Sequence, residues 1–206
     1  MIDSAGWSTL SDYSNPLTTY YHRHPAYAKY PVVNITHEAA LLYCSWLADQ
    51  YNADPKRKIK KIQFFLPSSE LWMTIAGNGD KTRIYPWNNY YLRDKNGLFL
   101  CNFKQFGDQR ISFDSTSKSY KVIPFFTEPG LHDRAVYTSP VNSYLPGPFG
   151  IHNFSGNVAE MVSEKGIAKG GSFYSTGYDV RIQSTINYAK SSPEIGFRVF
   201  MRVLEQ

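Results

Sequence analysis

Residues 85–150 carry no set of apolar residues at helical spacing, and that stretch constrains the fold more than any single motif. In a compact domain so long a run of loops and short strands needs something to hold it, or has a job of its own. The composition agrees, since 16 Tyr and 13 Phe beside 14 Gly and 12 Pro favour short strands and turns over a helical bundle. An apolar share of 42% with 19% charged residues argues against disorder, and 206 residues suit one domain with a core of its own. The reading is a single domain over 1–206, with helices in the minority and an irregular lead-in over 1–23.

Regular elements are expected on either side of the loop-rich stretch. Thr36 is placed to cap a helix in which Ala39, Leu42, Tyr43, Trp46 and Leu47 recur at i, i+3, i+4, i+7 and i+8, with Glu38 in its first turn. KIQFFL alternates Ile62, Phe64 and Leu66 as a half-buried strand. PSSE at 67–70 then opens a second helix that turns Leu71, Trp72 and Ile75 inward and stops at Gly77. The chain ends in IGFRVFMRV, where Ile195, Phe197, Val199, Met201 and Val203 alternate as one strand, with Arg198 and Arg202 on the opposite face.

The net charge of +5 is modest, and its densest cluster, KRKIKK at 56–61, lies between the first helix and the next strand. No nucleic-acid motif accompanies it, so it reads as a solvated connector and no nucleic-acid partner is expected. No apolar stretch approaches membrane-spanning length. The opening MIDSAGWSTL has neither a basic head nor an apolar segment, which leaves a leaderless chain and a trimmed one equally open. Two cysteines, Cys44 and Cys101, do not settle the redox compartment.

Most catalytic motifs fail on inspection. HEAAL at 37–41 begins like a zinc-protease helix but has Leu41 where the second His is needed. His22 and His24 sit in a proline-bounded turn and read as structural. There is no phosphate loop, nucleophile elbow or Cys-x-x-Cys, and neither Ser172 nor Ser175 has a His near it in sequence. One constellation survives, GIHNFSGNVAEMV at 150–162. Asn153 offers a side-chain carbonyl, Gly156 permits a turn that aims backbone carbonyls inward, and Glu160 adds a carboxylate. That is the hard-oxygen set of a calcium site, although spacing alone favours a plain turn followed by a solvated Glu.

PVVNITHEAALLYCSWL, FFLPSSELWMTIAGNG, YPWNN, GPFGIHNFSGNVAEMV, AKGGSF and IGFRVFMRV occur in the order seen in the formylglycine-generating enzyme family, also called the sulfatase-modifying-factor domain. The chain resembles that family from about His24 to its C-terminus, without the family's usual opening strands. The resemblance implies an α+β, C-type-lectin-like fold, loop-rich, with few helices, short antiparallel strands and bound calcium. It implies one calcium site at Asn153, the carbonyls of Gly156 and Val158, and Glu160. A second is implied at Asn102, the carbonyl of Phe103, Asp133 and the carbonyl of Ala135. Together these would tie down the loops of 85–150.

In the copper-dependent oxidases of the family two cysteines follow the Gly-Gly-Ser turn, and those positions fall here on Ser175 and Val180. A hydroxyl is a poor ligand for a soft cuprous ion and a valine is none, so no copper and no thiol oxidation are expected. Ala159 stands where those enzymes tend to carry Trp, and the loop between Pro193 and Gly196 is short. The local likeness of YYHRHPAYAKYPVVNI and GNVAEMV is to gliding-motility and type IX secretion lipoproteins of Bacteroidetes-type bacteria. That branch implies a non-catalytic, extracytoplasmic component in the periplasm or on the outer membrane, with a protein or glycan partner. Tyr174, Ser175, Tyr178, Asp179 and Arg181 occupy the family's substrate groove and are the expected contact face. Two alternatives stay open. One is an iron or copper oxidase, with His22, His24, His132 and His152 available, akin to the sulfoxide synthases. The other is a lectin-fold display protein that varies over 172–191.

Overall fold

A computed structural model describes residues 2–10, 14–104, 111–122 and 135–206. Its helices are α1 (Asn15–Tyr20), α2 (His37–Ala53) and α3 (Ser69–Ala76). Its strands are β1 (Lys61–Phe65), β2 (Ile111–Asp114), β3 (Ser119–Val122), β4 (Ala159–Met161), β5 (Ile167–Lys169), β6 (Thr185–Asn187), β7 (Ile195–Phe197) and β8 (Phe200–Glu205). The expected loop-rich α+β architecture is found. Within 85–150 the described residues hold only the β2–β3 hairpin and one turn of 3-10 helix at Pro148–Gly150.

Both longer helices start where their caps predict. The Thr36 hydroxyl accepts from the Ala39 N–H at 3.2 Å, and the Ser68 hydroxyl accepts from Leu71 at 3.2 Å. Each fills a donor that the first helical turn leaves without a partner. The buried face of α2, however, is not the expected one. His37, Ala40 and Cys44 are buried, whereas Leu42 is 72% exposed, Trp46 51% and Tyr43 42%. Small side chains at 40 and 44 let the helix backbone approach the core closely, and that contact leaves the bulky residues outside.

The C-terminal alternation also divides. β7 pairs in parallel with β4, and the chain then leaves that sheet so that β8 pairs antiparallel with β1. No single buried face runs through both strands: Ile195 is buried, while Met201 and Val203 remain 49% and 42% exposed. Arg198 lies in the break and turns inward to Glu160 rather than outward.

The main sheet has the order β6-β5-β4-β7, antiparallel except for β4 beside β7. One side of the core packs Ile35, Ala40, Cys44, Leu66, Met161 and Ile195 between α2 and this sheet. Another joins Trp72 of α3 to Phe154, Val162 and Ile182. The lead-in is less irregular than expected. It forms a 3-10 turn at Ser4–Thr9 and then α1, and its Trp7 is fully buried against Tyr21, Val33, Val158 and Phe173.

Candidate functional site

Two glycines open the stretch GGSFYSTGYDV, Gly170 at φ +88° and Gly171 at φ +67°, and a Cβ at Gly170 would overlap the Phe154 carbonyl oxygen. Only glycine reaches that conformation without strain. Beyond them the Ser172 hydroxyl donates to Glu194 Oε2 at 2.7 Å, and Ser175 Oγ accepts from the Ser172 N–H at 2.9 Å. These hydroxyls hold backbone groups of their own turn. Val180 is fully buried with Tyr85, Cys101 and Phe103.

The expected contact residues do share one surface turn. Tyr174 is 50% exposed and Tyr178 67%. Each ring faces a cation, with Lys104 Nζ at 4.1 Å from the Tyr174 centroid and the Arg181 guanidinium at 3.3 Å from that of Tyr178. Such pairs stiffen exposed aromatics. Asp179 accepts from the Thr176 hydroxyl at 2.7 Å and from its N–H at 3.2 Å, so it shapes the turn as much as it faces solvent.

The SGN turn works differently from its expected role. Glu160 is buried, and its carboxylate accepts from the Trp72 indole at 2.7 Å and from Arg198 Nε at 3.0 Å and Nη2 at 2.5 Å. Burial works against the Arg198 charge, but the Glu160 carboxylate outweighs it and raises the guanidinium above its ordinary range. A guanidinium therefore stands against both oxygens that calcium would need. Asn153 uses its amide nitrogen to donate to the Val141 carbonyl at 3.0 Å. With Glu160 paired to Arg198, this set lacks the free carboxylate that a calcium shell of six to eight oxygens at about 2.3–2.6 Å would draw on. The set expected at Asn102 is only partly visible, because Asp133 lies outside the described residues, as does His132. Asn102 is buried and its amide donates to the Tyr137 carbonyl at 2.6 Å. Phe103 is buried in the cluster with Val180, and Ala135 is half-buried. Among the described residues no three His, Cys, Asp or Glu side chains gather as a metal cluster.

Sequence reasoning passed over Asn157. Its amide donates to the Ser139 carbonyl at 3.0 Å and accepts from the Ser139 N–H at 2.7 Å. Its backbone N–H donates to the Asn102 carbonyl and its carbonyl accepts from Phe173. Gly156 beside it, at φ +72°, has no room for a Cβ against the Asn102 carbonyl. The turn thus stitches three distant loops together, and its GN dipeptide was the available signal.

The described histidines do not gather at one site. His37 bonds the Val162 carbonyl at 2.8 Å, His24 accepts from the Ala26 N–H at 3.2 Å, and His152 meets the Tyr144 carbonyl at 3.1 Å. Cys44 and Cys101 are both buried, and no disulfide joins them. Lys169 is buried on β5, where its ammonium donates to the Gln183 carbonyl and the Thr185 hydroxyl. Desolvation lowers its pKa, opposed by Glu164. A cavity of about 320 Å³ lies apart from the Tyr174 turn, between Arg83, Trp87 and the loop before the SGN turn. YPWNN at 85–89 borders it, a motif that sequence reading used only as a family mark.

The family model described as the sulfatase-modifying factor enzyme 1-like domain matches residues 4–203. This chain belongs to that family. The match of this sulfatase-modifying factor enzyme 1-like domain begins ahead of His24 and takes in the lead-in that buries Trp7. It is 25% identical over 138 residues to the bovine (Bos taurus) inactive C-alpha-formylglycine-generating enzyme 2, covering 66% of this chain and 34% of that protein. The mouse (Mus musculus) protein of the same name is 25% identical over 177 residues, 84% of this chain and 43% of that one. The domain therefore spans well under half the length of these relatives. Among solved structures it is similar to Treponema denticola variable protein 1, with a TM-score of 0.58, 16% identity, and coverage of 86% of this chain and 72% of that one. That likeness concerns the fold.

Proposed function

We propose that this sulfatase-modifying factor enzyme 1-like domain is a non-catalytic binding module. It presents the turn of Tyr174, Ser175, Tyr178, Asp179 and Arg181 to a protein or glycan partner outside the cytoplasm, in a bacterial envelope. The observation that carries the reading is the state of the two positions where the family's oxidases hold thiols. Ser175 spends its hydroxyl on the Ser172 N–H, and Val180 is sealed in an apolar cluster. Neither is a donor for a soft metal. The curated relatives at 25% identity are themselves named inactive, which supports the same direction. Exposed tyrosines flanked by cations, on a turn held by its own hydrogen bonds, are the composition of a contact surface rather than of a reacting centre. Calcium belongs to this reading only at Asn102, Phe103, Asp133 and Ala135, where it would stabilise loops.

The test has two parts. Purified protein should carry no stoichiometric copper or iron and should consume no dioxygen with a cysteine-bearing peptide; turnover there overturns the reading. On a glycan array and in crosslinking with envelope proteins, a Tyr174→Ala, Tyr178→Ala variant with an unchanged melting temperature should lose the capture that the unaltered domain shows. Capture that survives both substitutions would move the contact face elsewhere.

A further inference from the structure

The cavity beside Arg83 shares none of the five residues of the proposed contact turn. Its walls are mostly apolar, with Trp87, Leu100, Leu145 and Ile151 among them, and Arg83 is the charged side chain in its lining. The Arg83 Nε is enclosed and makes no hydrogen bond. Asp80 Oδ2 approaches it at 4.0 Å, too far for a hydrogen bond, while Asp80 Oδ1 accepts from the Thr82 N–H and hydroxyl at 2.8 and 2.7 Å. One guanidinium nitrogen donates to the Pro86 carbonyl at 3.3 Å. The Arg83 side chain is still 24% exposed and lines the cavity, so an anion entering there would meet a guanidinium whose ion pair with Asp80 is long.

The walls are rigid and strained. Trp87 donates to the Tyr91 carbonyl at 2.8 Å and stacks on Tyr85 at 5.0 Å and 11°, so its ring is held in place. The facing loop keeps Tyr144 at φ +62° and Phe149 at φ +58°. Left-handed backbone at bulky residues is rare and gathers at ligand sites, where the surrounding structure sustains it. About 320 Å³ is the lower end of the range for small-molecule sites.

We propose that this cavity binds a small monocarboxylate carried on a ring. The planar guanidinium fork matches a carboxylate. A phosphate, with nearly two negative charges, would call for more donors than a single arginine. The ring would lie on Trp87 and the aliphatic wall. Aromatic acids and uronic sugars both have this chemistry.

Ligand-observed NMR with benzoate, glucuronate, benzamide and glucose tests it. At least one carboxylate should bind saturably and at least ten-fold more tightly than its neutral counterpart, and which of the two does so identifies the source. Arg83→Met should weaken that binding at least ten-fold. Leu145→Asp provides a second variant, because Leu145 is 72% exposed at the rim; it should repel the anion while leaving the melting temperature unchanged. Equal binding of acid and neutral counterpart, no saturable binding of either acid, or Leu145→Asp binding like the unaltered protein would each overturn the proposal.

Discussion

Glu160 and Arg198 make the most consequential pair of side chains in the molecule. Both charges are largely removed from water, and the Trp72 indole completes the carboxylate's shell. A buried pair contributes little over an apolar substitute, but removing one partner strands the other, at about 3–5 kcal/mol. Arg198→Met should therefore lower the unfolding free energy by about 3–5 kcal/mol in urea titrations. Adding Glu160→Gln should recover part of the loss, since the stranded charge is gone. A single variant within about 0.5 kcal/mol of the parent, the range of an inconsequential surface change, would show that the pair is not holding β4 to the chain after β7. The carboxylate itself was legible in GNVAE. Its partner was not, because an alternating strand assigns Arg198 to the outer face and only the break between β7 and β8 turns it inward.

At the scale of elements, α2 shows how a correct helix can carry an incorrect face. Apolar periodicity selects the stripe with the most bulk, yet packing selects the stripe that allows close approach, here Ala40 and Cys44. Leu42→Ser should change stability by less than about 0.5 kcal/mol, whereas Ala40→Leu should cost about 1–3 kcal/mol through overpacking; chemical denaturation of the two variants distinguishes the faces. The start of α2 also predicts a pH response. Glu38 bonds Lys165, and that contact, aided by the N–H groups of the helix start, lowers its carboxyl from an ordinary 4.5 to about 2. A carboxyl depressed by folding contributes stability that is present above 4.5 and lost as pH falls toward 2. Glu38→Gln should flatten the melting temperature against pH over that window, and added salt should mimic the variant because the pair is exposed.

At the scale of the whole molecule, the long irregular stretch is held by amide side chains as much as by any ion. Asn157 binds both backbone groups of Ser139, Asn102 binds Tyr137, and Tyr21 reaches Thr138 at 3.0 Å. If calcium also sits at Asn102, Phe103, Asp133 and Ala135, as we propose, a chelator should lower the melting temperature and calcium rather than magnesium should restore it, since binding to the folded state alone adds stability. A melting curve indifferent to chelator would leave the amides as the sole ties. By itself the sequence determined the caps at Thr36 and Ser68, the loop-rich class, the family, and the loss of the thiol pair, because each depends on residue type at a short spacing. Tertiary structure alone decided which face of α2 is buried, that Arg198 meets Glu160, that Asn157 joins three loops, and that a cavity forms beside Arg83. Those depend on contacts between residues far apart in the chain, and no local pattern encodes which partner arrives.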